Sequence, residues 1–233
     1  MIQLIEEAAS RAGVMLTASM AEKTAAFCSY VKEANEKINL TSITEDEAMA
    51  SLHLEDSWHA VRHIPVNARL IDIGTGAGFP GMALALVRTD LELVLLDATR
   101  KKVEFLTESI GKLGLSHVRA VWGRAEELAW DPRYRDRFDL AIARAVTALP
   151  ELAELSLPFV RKGGLFIAMK GSDSEAGQAS AAILKLKGQL EGVDTYELSG
   201  LDHPRSLVLV RKLEKTPRAY PRRMAAIRKS PLT

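Results

Sequence analysis

Leu70-Ile71-Asp72-Ile73-Gly74-Thr75-Gly76-Ala77-Gly78-Phe79-Pro80-Gly81 is the stretch on which the fold turns. A short apolar run delivers one carboxylate, Asp72, into glycines at three alternate positions, Gly74, Gly76 and Gly78, before a Pro-Gly pair that can open a helix. A strand turning sharply into a helix needs positive φ and a backbone bare enough for a ligand to lie against it, and glycine supplies both. Two nucleotide-cofactor classes use such a turn. Gly76, Gly78 and Gly81 satisfy the G-x-G-x-x-G spacing of a dinucleotide site, with Asp97 placed for a ribose beyond. Two details favour S-adenosylmethionine instead. Asp72 would face a pyrophosphate unfavourably but attract the amino group of a methionine moiety. Pro80, near the first helical position, removes an N–H that a pyrophosphate would take.

Outward from this loop, short apolar runs at 69–73, 91–96, 118–122, 138–143 and 165–169 alternate with helical segments beginning near Pro80, Arg100, Ala125, Pro150 and Ser174. Five such β-α units imply a parallel sheet with right-handed crossovers and ligands at the carboxyl ends of its strands. Runs at 194–198 and 206–212 are joined by a short loop with Gly200 and Pro204, which leaves no room for a helix. They must pair antiparallel. The expectation is a Rossmann-like α/β fold of the class I S-adenosylmethionine-dependent methyltransferase type: a mostly parallel seven-stranded sheet, an antiparallel C-terminal hairpin and an N-terminal helical extension. The division expected is 1–64 for the extension, 65–213 for the core and 214–233 for a basic tail.

In the extension, Ser19 with Glu22 and Thr44 with Glu47 read as capping boxes, the second opening a helix that carries Leu52, Trp58 and Val61 and stops before Pro65. His53, Asp56, His59 and His63 fall at spacings that permit metal ligation, but no open-site motif accompanies them and His63 suits a helix C-terminus. No metal is expected; contact between this helix and the cofactor loop is. The single cysteine, Cys28, excludes an intramolecular disulfide and reads as a buried thiol. No apolar run approaches the ~18 residues of a membrane span, and the opening M-I-Q-L-I-E-E lacks the basic region of a secretory signal, so a soluble cytoplasmic protein is expected.

Strand ends supply the site. Asp97 can accept bonds from ribose hydroxyls or cap the helix at Arg100. Ala125 and Glu126 follow the third strand, where an amide and a carboxylate can meet an adenine. Arg144, ending the fourth, should find an anion: a substrate phosphate, a methionine carboxylate or Asp72. Lys170 ends the fifth and is placed to meet RNA phosphate. A formal net charge of +1 hides an asymmetry, since residues 201–233 carry +7 and the remainder −6. A basic end suggests a polyanionic partner, and Arg211, Lys212, Arg218, Arg222, Arg223, Arg228 and Lys229 are its candidates for RNA phosphates.

With these residues in view, the chain resembles the bacterial 16S rRNA guanine-N7 methyltransferases, once called glucose-inhibited division protein B, over about residues 30–225. The resemblance rests on N-L-T-S-I from Asn39, H-L-E-D-S from His53, the glycine loop with its Phe-Pro-Gly ending, the pair Ala125-Glu126 and R-A-V from Arg144. It implies cofactor contacts at Gly74, Phe79, Ala125, Glu126 and Arg144, S-adenosylmethionine as methyl donor, and 16S rRNA or the small ribosomal subunit as partner. Tyr220 to Arg223 fit the family's C-terminal pattern, whereas Met224-Ala225-Ala226-Ile227 replace its Gly-x-Pro turn. Guanine N7 presents a lone pair and no proton, so no catalytic acid or base is expected, Arg144 being the substrate-side contributor and catalysis positional. A monomer is expected. The rival readings are another RNA acceptor, a non-catalytic ribosome-assembly factor that keeps the cofactor site, and a nicotinamide-dependent oxidoreductase.

Overall fold

Five of the apolar runs become parallel strands; in the interior ones leucine, valine and isoleucine sit on both sides of the pleat and are buried on two faces, whereas the run at 118–122 forms a partly exposed edge. In the computed structural model, which describes residues 1–171 and 177–232, these are β1 (Arg69–Ile73), β2 (Glu92–Asp97), β3 (Val118–Trp122), β4 (Phe138–Arg144) and β5 (Val160–Lys170). β6 (Gly188–Tyr196) and β7 (Arg205–Lys212) form the antiparallel hairpin, and the seven-stranded order is β3-β2-β1-β4-β5-β7-β6. The order reverses beside β1, so the loop after it opens at the switch point.

The two faces of the sheet carry separate cores. Leu70, Leu93, Leu95, Leu140 and Ile142 pack against α2 (Ala18–Ile38), α5 (Gly81–Val87) and α6 (Arg100–Leu113). Ile71, Ile73, Val94, Leu96 and Ala141 face α8 (Leu149–Ser156) and α9 (Ser180–Lys185). The expected helix start near Ser174 lies outside the described residues.

Two strands begin earlier than their hydropathy shows. β5 opens with Arg161-Lys162-Gly163-Gly164, too polar to read as a strand, yet Val160 pairs with Phe138 and a Cβ on Gly164 would lie 2.7 Å from Asp139 O. β6 lies at the sheet edge, where alternate residues are exposed.

The N-terminal segment differs most from expectation. α2 is capped by Thr17, whose Oγ1 accepts from Met20 N at 3.2 Å, so the Ser19–Glu22 box does not form. Nor does Thr44–Glu47, because α3 (Asp46–Ala48) starts after Glu45 with no side-chain cap. Beyond α3 the chain forms not one α-helix but a π-helix over Met49–Glu55, a turn α4 (Asp56–Trp58) and a 3-10 segment His59–His63. A side chain competes for its backbone, Ser57 Oγ donating to His53 O at 2.5 Å, and Ser51 Oγ ties the segment to Ser199 O at 2.6 Å. α1 (Ile2–Arg11) packs on this segment and ties it through Arg11–Glu55 at 2.8 Å. Cys28 is buried in the first core, and burial pushes its thiol up to about 12. Among the described residues no helix is long and apolar enough to cross a membrane.

The basic end is also part of the body. α10 (Met224–Lys229) lies against α8, Ile227 is fully buried, and Leu232 joins the second core. Arg135 donates to the carbonyls of Thr216, Pro217 and Tyr220, fastening residues 216–220 to the core.

Candidate functional site

The loop after β1 takes its shape from three positive-φ glycines, Gly74 (+71°), Gly76 (+60°) and Gly78 (+104°). It is tied to the end of β2 three times: Gly74 N and Thr75 N donate to Leu96 O at 2.8 and 3.1 Å, and Gly76 N donates to Asp97 Oδ2 at 2.9 Å. The other Asp97 oxygen accepts from Thr99 N at 2.7 Å. Thr99, not Asp97, stands at the cap of α6. Each Asp97 oxygen keeps a second lone pair, so the carboxylate can hold the loop and still accept ribose hydroxyls. A Cβ on Gly76 would meet nothing nearer than Gly74 O at 3.9 Å, which leaves its backbone bare to the site.

Asp72 is fully buried, and its Oδ2 accepts from Gly81 N at 2.8 Å. Burial pushes it up to about 6, against the pull of that hydrogen bond. Asp72, expected to attract a ligand's amino group, here faces the loop's own backbone through Gly81 N. Pro80 stands one residue before α5, and the next N–H, that of Gly81, is spent on Asp72. A pyrophosphate would have to compete with a buried carboxylate there.

Phe79 is buried, its ring 5.5 Å from Phe27 and stacked on His53 at 4.3 Å with 6° between planes. Within the chain, the anion beside Arg144 is Asp56 rather than Asp72. Its Nη1 donates to Asp56 Oδ2 at 2.8 Å and Leu52 O at 2.7 Å, and its Nη2 to His53 Nδ1 at 2.8 Å. Burial and the neighbouring Arg144 cation pull His53 down to about 3, so the ring is neutral. With Nδ1 facing a donor, the proton sits on Nε2, which donates to Thr41 Oγ1 at 2.9 Å. Tyr196 closes the network, its hydroxyl donating to Asp56 Oδ1 at 2.8 Å. The expected contact between the helical segment and the glycine loop is thus His53 on Phe79. His59 stacks on Tyr196 at 4.1 Å and His63 meets Asp194 at 2.5 Å, so the histidines diverge rather than converge on an ion.

After β4 the chain turns with Ala145 at φ +53°, and Val146 lies over Gly74, where a Cβ would come within 2.8 Å of its Cγ2. Ala125 and Glu126 open α7 (Ala125–Leu128), both half-buried. Beside them Arg124, Glu126, Trp130, Pro221, Arg223 and Met224 line a groove of about 780 Å³.

The basic candidates separate. Arg218, Arg223, Arg228 and Lys229 are exposed. Lys170 donates to Thr147 O at 2.9 Å. Three others are engaged within the chain, and of these the buried Lys212 is out of reach of an RNA phosphate. Lys212 is fully buried and donates to Leu157 O at 2.6 Å and to Thr216 Oγ1, its ammonium pulled down to about 7 by burial. Arg211 pairs with Glu191 at 2.6 Å opposite Leu165, at the end of the sheet remote from the glycine loop. Arg222 is spent on buried Glu154. Reading by residue type missed the holding roles of His53, Asp56 and Thr41. The available signal was the i, i+3 spacing of His53 and Asp56, which also fits two ligands of one guanidinium.

Known proteins agree with this architecture. Residues 20–203 match the model of the GidB family, described as rRNA small subunit methyltransferase G. A ribosomal RNA small subunit methyltransferase G of Acetivibrio thermocellus is 41% identical over 99% of this chain and 96% of its own. That of Deinococcus deserti is 42% identical over 92% and 90%. Among solved structures, TYW2 of M. jannaschii in complex with AdoMet superposes with a TM-score of 0.54 at 14% identity, covering 70% of this chain and 76% of that one. A precorrin-6y C5,15-methyltransferase of Geobacter metallireducens gives 0.51 at 12%, covering 75% and 91%. The two structures share the fold; the sequence matches extend over nearly the whole chain, and the chain belongs to the GidB family, the rRNA small subunit methyltransferases G.

Proposed function

We propose that the chain transfers the methyl group of S-adenosylmethionine to N7 of a specific guanine in 16S rRNA of the small ribosomal subunit, giving 7-methylguanosine. The observation that carries this reading is the glycine loop: a bare backbone at Gly76, held against the Asp97 carboxylate, beside Arg144 and in a chain of this family. The residues present fit the cofactor. Asp97 has lone pairs for ribose hydroxyls, Gly74 and Gly76 give close approach, Ala125 and Glu126 flank the adenine side, and Arg144 offers donors to a carboxylate. Asp72, Gly78 and Phe79 serve by shaping the loop.

When bound, the sulfonium supplies an electrophilic methyl group. The N7 lone pair forms the new bond while the sulfur keeps the electrons of the old one. No proton moves in that step, so the chain needs no general base and contributes by orientation, worth several kcal/mol when reacting atoms are held near ~3–3.5 Å. N7 lies in the deep groove of A-form RNA, so the target guanine is read from a loop or splayed out. A small-subunit rRNA acceptor puts the enzyme in the cytoplasm. The test is incubation with methyl-labelled S-adenosylmethionine and either naked 16S rRNA or small subunits. Label mapping to a guanine N7 is expected, and no label on any form of that RNA would overturn the reading.

A further inference from the structure

Three acceptors converge on Arg144 from five consecutive residues: Leu52 O, His53 Nδ1 and Asp56 Oδ2. The widened turn of the π-helix, where Asp56 N–H reaches back to Ser51 O, brings them to one place. A guanidinium carries five N–H donors. Three are spent here, and the Nε–H and second Nη2–H are not among those hydrogen bonds. Asp56 balances the charge, whereas His53 brings no charge and holds the second nitrogen. It can accept only as the Nε2–H tautomer, which Thr41 fixes; Thr41 Oγ1 is itself fixed by Ile43 N at 3.0 Å. The same ring lies flat on Phe79, and the Arg144 guanidinium carbon sits 5.9 Å from that Phe79 ring. One imidazole thus sets both the last side chain of the glycine loop and the cation at the end of β4.

We infer that His53 is a positioning residue of the methyl-transfer site: through Nδ1 it orients the Arg144 guanidinium so that its two unspent donors meet the carboxylate of the bound cofactor. This rests on the functional reading above. The burial that keeps the imidazole neutral supports it, since a protonated ring would turn an N–H toward Arg144 and lose the bond.

The experiment is calorimetric titration of S-adenosylhomocysteine into the full chain without RNA, with thermal melting of each variant alongside. His53→Phe keeps an aromatic ring on Phe79 and removes the acceptor; His53→Asn puts a carbonyl oxygen near the place of Nδ1. The expected result is at least tenfold weaker binding in H53F, as for loss of a hydrogen bond to a charged group, with binding restored to within about threefold in H53N. If H53F does not fold, His53→Leu makes the same comparison. Wild-type affinity in H53F, or H53N as weak as H53F, would show that the ring only packs and would overturn the inference. A wild-type chain that binds no S-adenosylhomocysteine would overturn the functional reading itself, and with it this one.

Discussion

Arg222 grips Glu154 with both arms of its guanidinium, Nε at 2.9 Å from Oε1 and Nη2 at 2.6 Å from Oε2, while the Arg222 N–H also donates to Oε1 at 2.8 Å. Glu154 is fully buried on α8, and the Arg222 Nη1 goes on to Ser230 O at 3.0 Å. The pair locks the basic end of the chain to the body. Arg222→Ala leaves a buried carboxylate uncompensated, expected to cost on the order of 3 kcal/mol. That is a Tm drop of roughly 6–12 °C for a chain of this size. An unchanged melting curve would mean that the pair is redundant.

Truncation after Lys212 removes Arg222, Ile227 and Leu232 together. Lowered thermal stability and weakened cofactor binding are expected alongside the loss of RNA affinity. A solvated tail would lose RNA affinity alone, so melting and S-adenosylhomocysteine titration of the truncated chain separate the two.

Asp72 gives a pH dependence of definite sign. Its folded value, about 6, lies above the ordinary 3.8, so the native state holds the proton more tightly than the unfolded one. Its favourable contribution is complete below the unfolded value and is lost as pH rises through 6, a swing on the order of 3 kcal/mol. Asp72→Asn keeps an acceptor for Gly81 N–H and removes the titration. The Tm of the wild type relative to Asp72→Asn should therefore fall between pH 4 and pH 8; a constant difference would show that the carboxyl does not titrate there.

Two glycines in the loop should fail differently. A Cβ on Gly81 would lie 2.7 Å from Asp72 Oδ2 and overlap Leu95, so Gly81→Ala is expected to lower Tm. Gly76→Ala meets no steric block and carries only the left-handed penalty, about 1–2 kcal/mol. It should stay folded and lose cofactor affinity. Melting and ligand titration of both variants check this, and full affinity in Gly76→Ala would remove the bare backbone from the site.

Charge reversal at Arg223 or Arg228 is expected to weaken binding to small-subunit rRNA and reduce its log-log salt slope by ~0.7 for each single-strand phosphate that is no longer neutralised. Arg211→Glu, at the far end of the sheet, should leave the slope unchanged. Equal effects from all three in a filter-binding titration would mean that overall charge, not this surface, attracts the RNA.

The strand pattern and the glycine loop were legible in the sequence because they are local. Period and apolar burial define β1 to β4, and positive φ at Gly74, Gly76 and Gly78 is a property of those residues. The opening of β5 was not, since Arg161-Lys162-Gly163-Gly164 form an irregularity in the β4–β5 pairing, held between the pairs Phe138–Val160 and Leu140–Leu165. The N-terminal segment misled for a related reason. Helical spacing announces a helix, but Ser51, His53 and Ser57 bend it through bonds to backbone and to partners elsewhere in the chain.

The sequence by itself determined the class of fold, the cofactor loop and the family, all of which reside in short motifs and their order. Tertiary structure alone decided which charges are free. Lys212 and Arg222 look like Arg223 and Lys229 in the chain, yet the first two are consumed by Leu157 O and Glu154 and the last two stand in solvent. The same holds for Arg144, whose counter-charge is Asp56, 88 residues earlier. Residue type sets a charge, but the cost of desolvating it and the partner that offsets that cost arise only when distant segments meet.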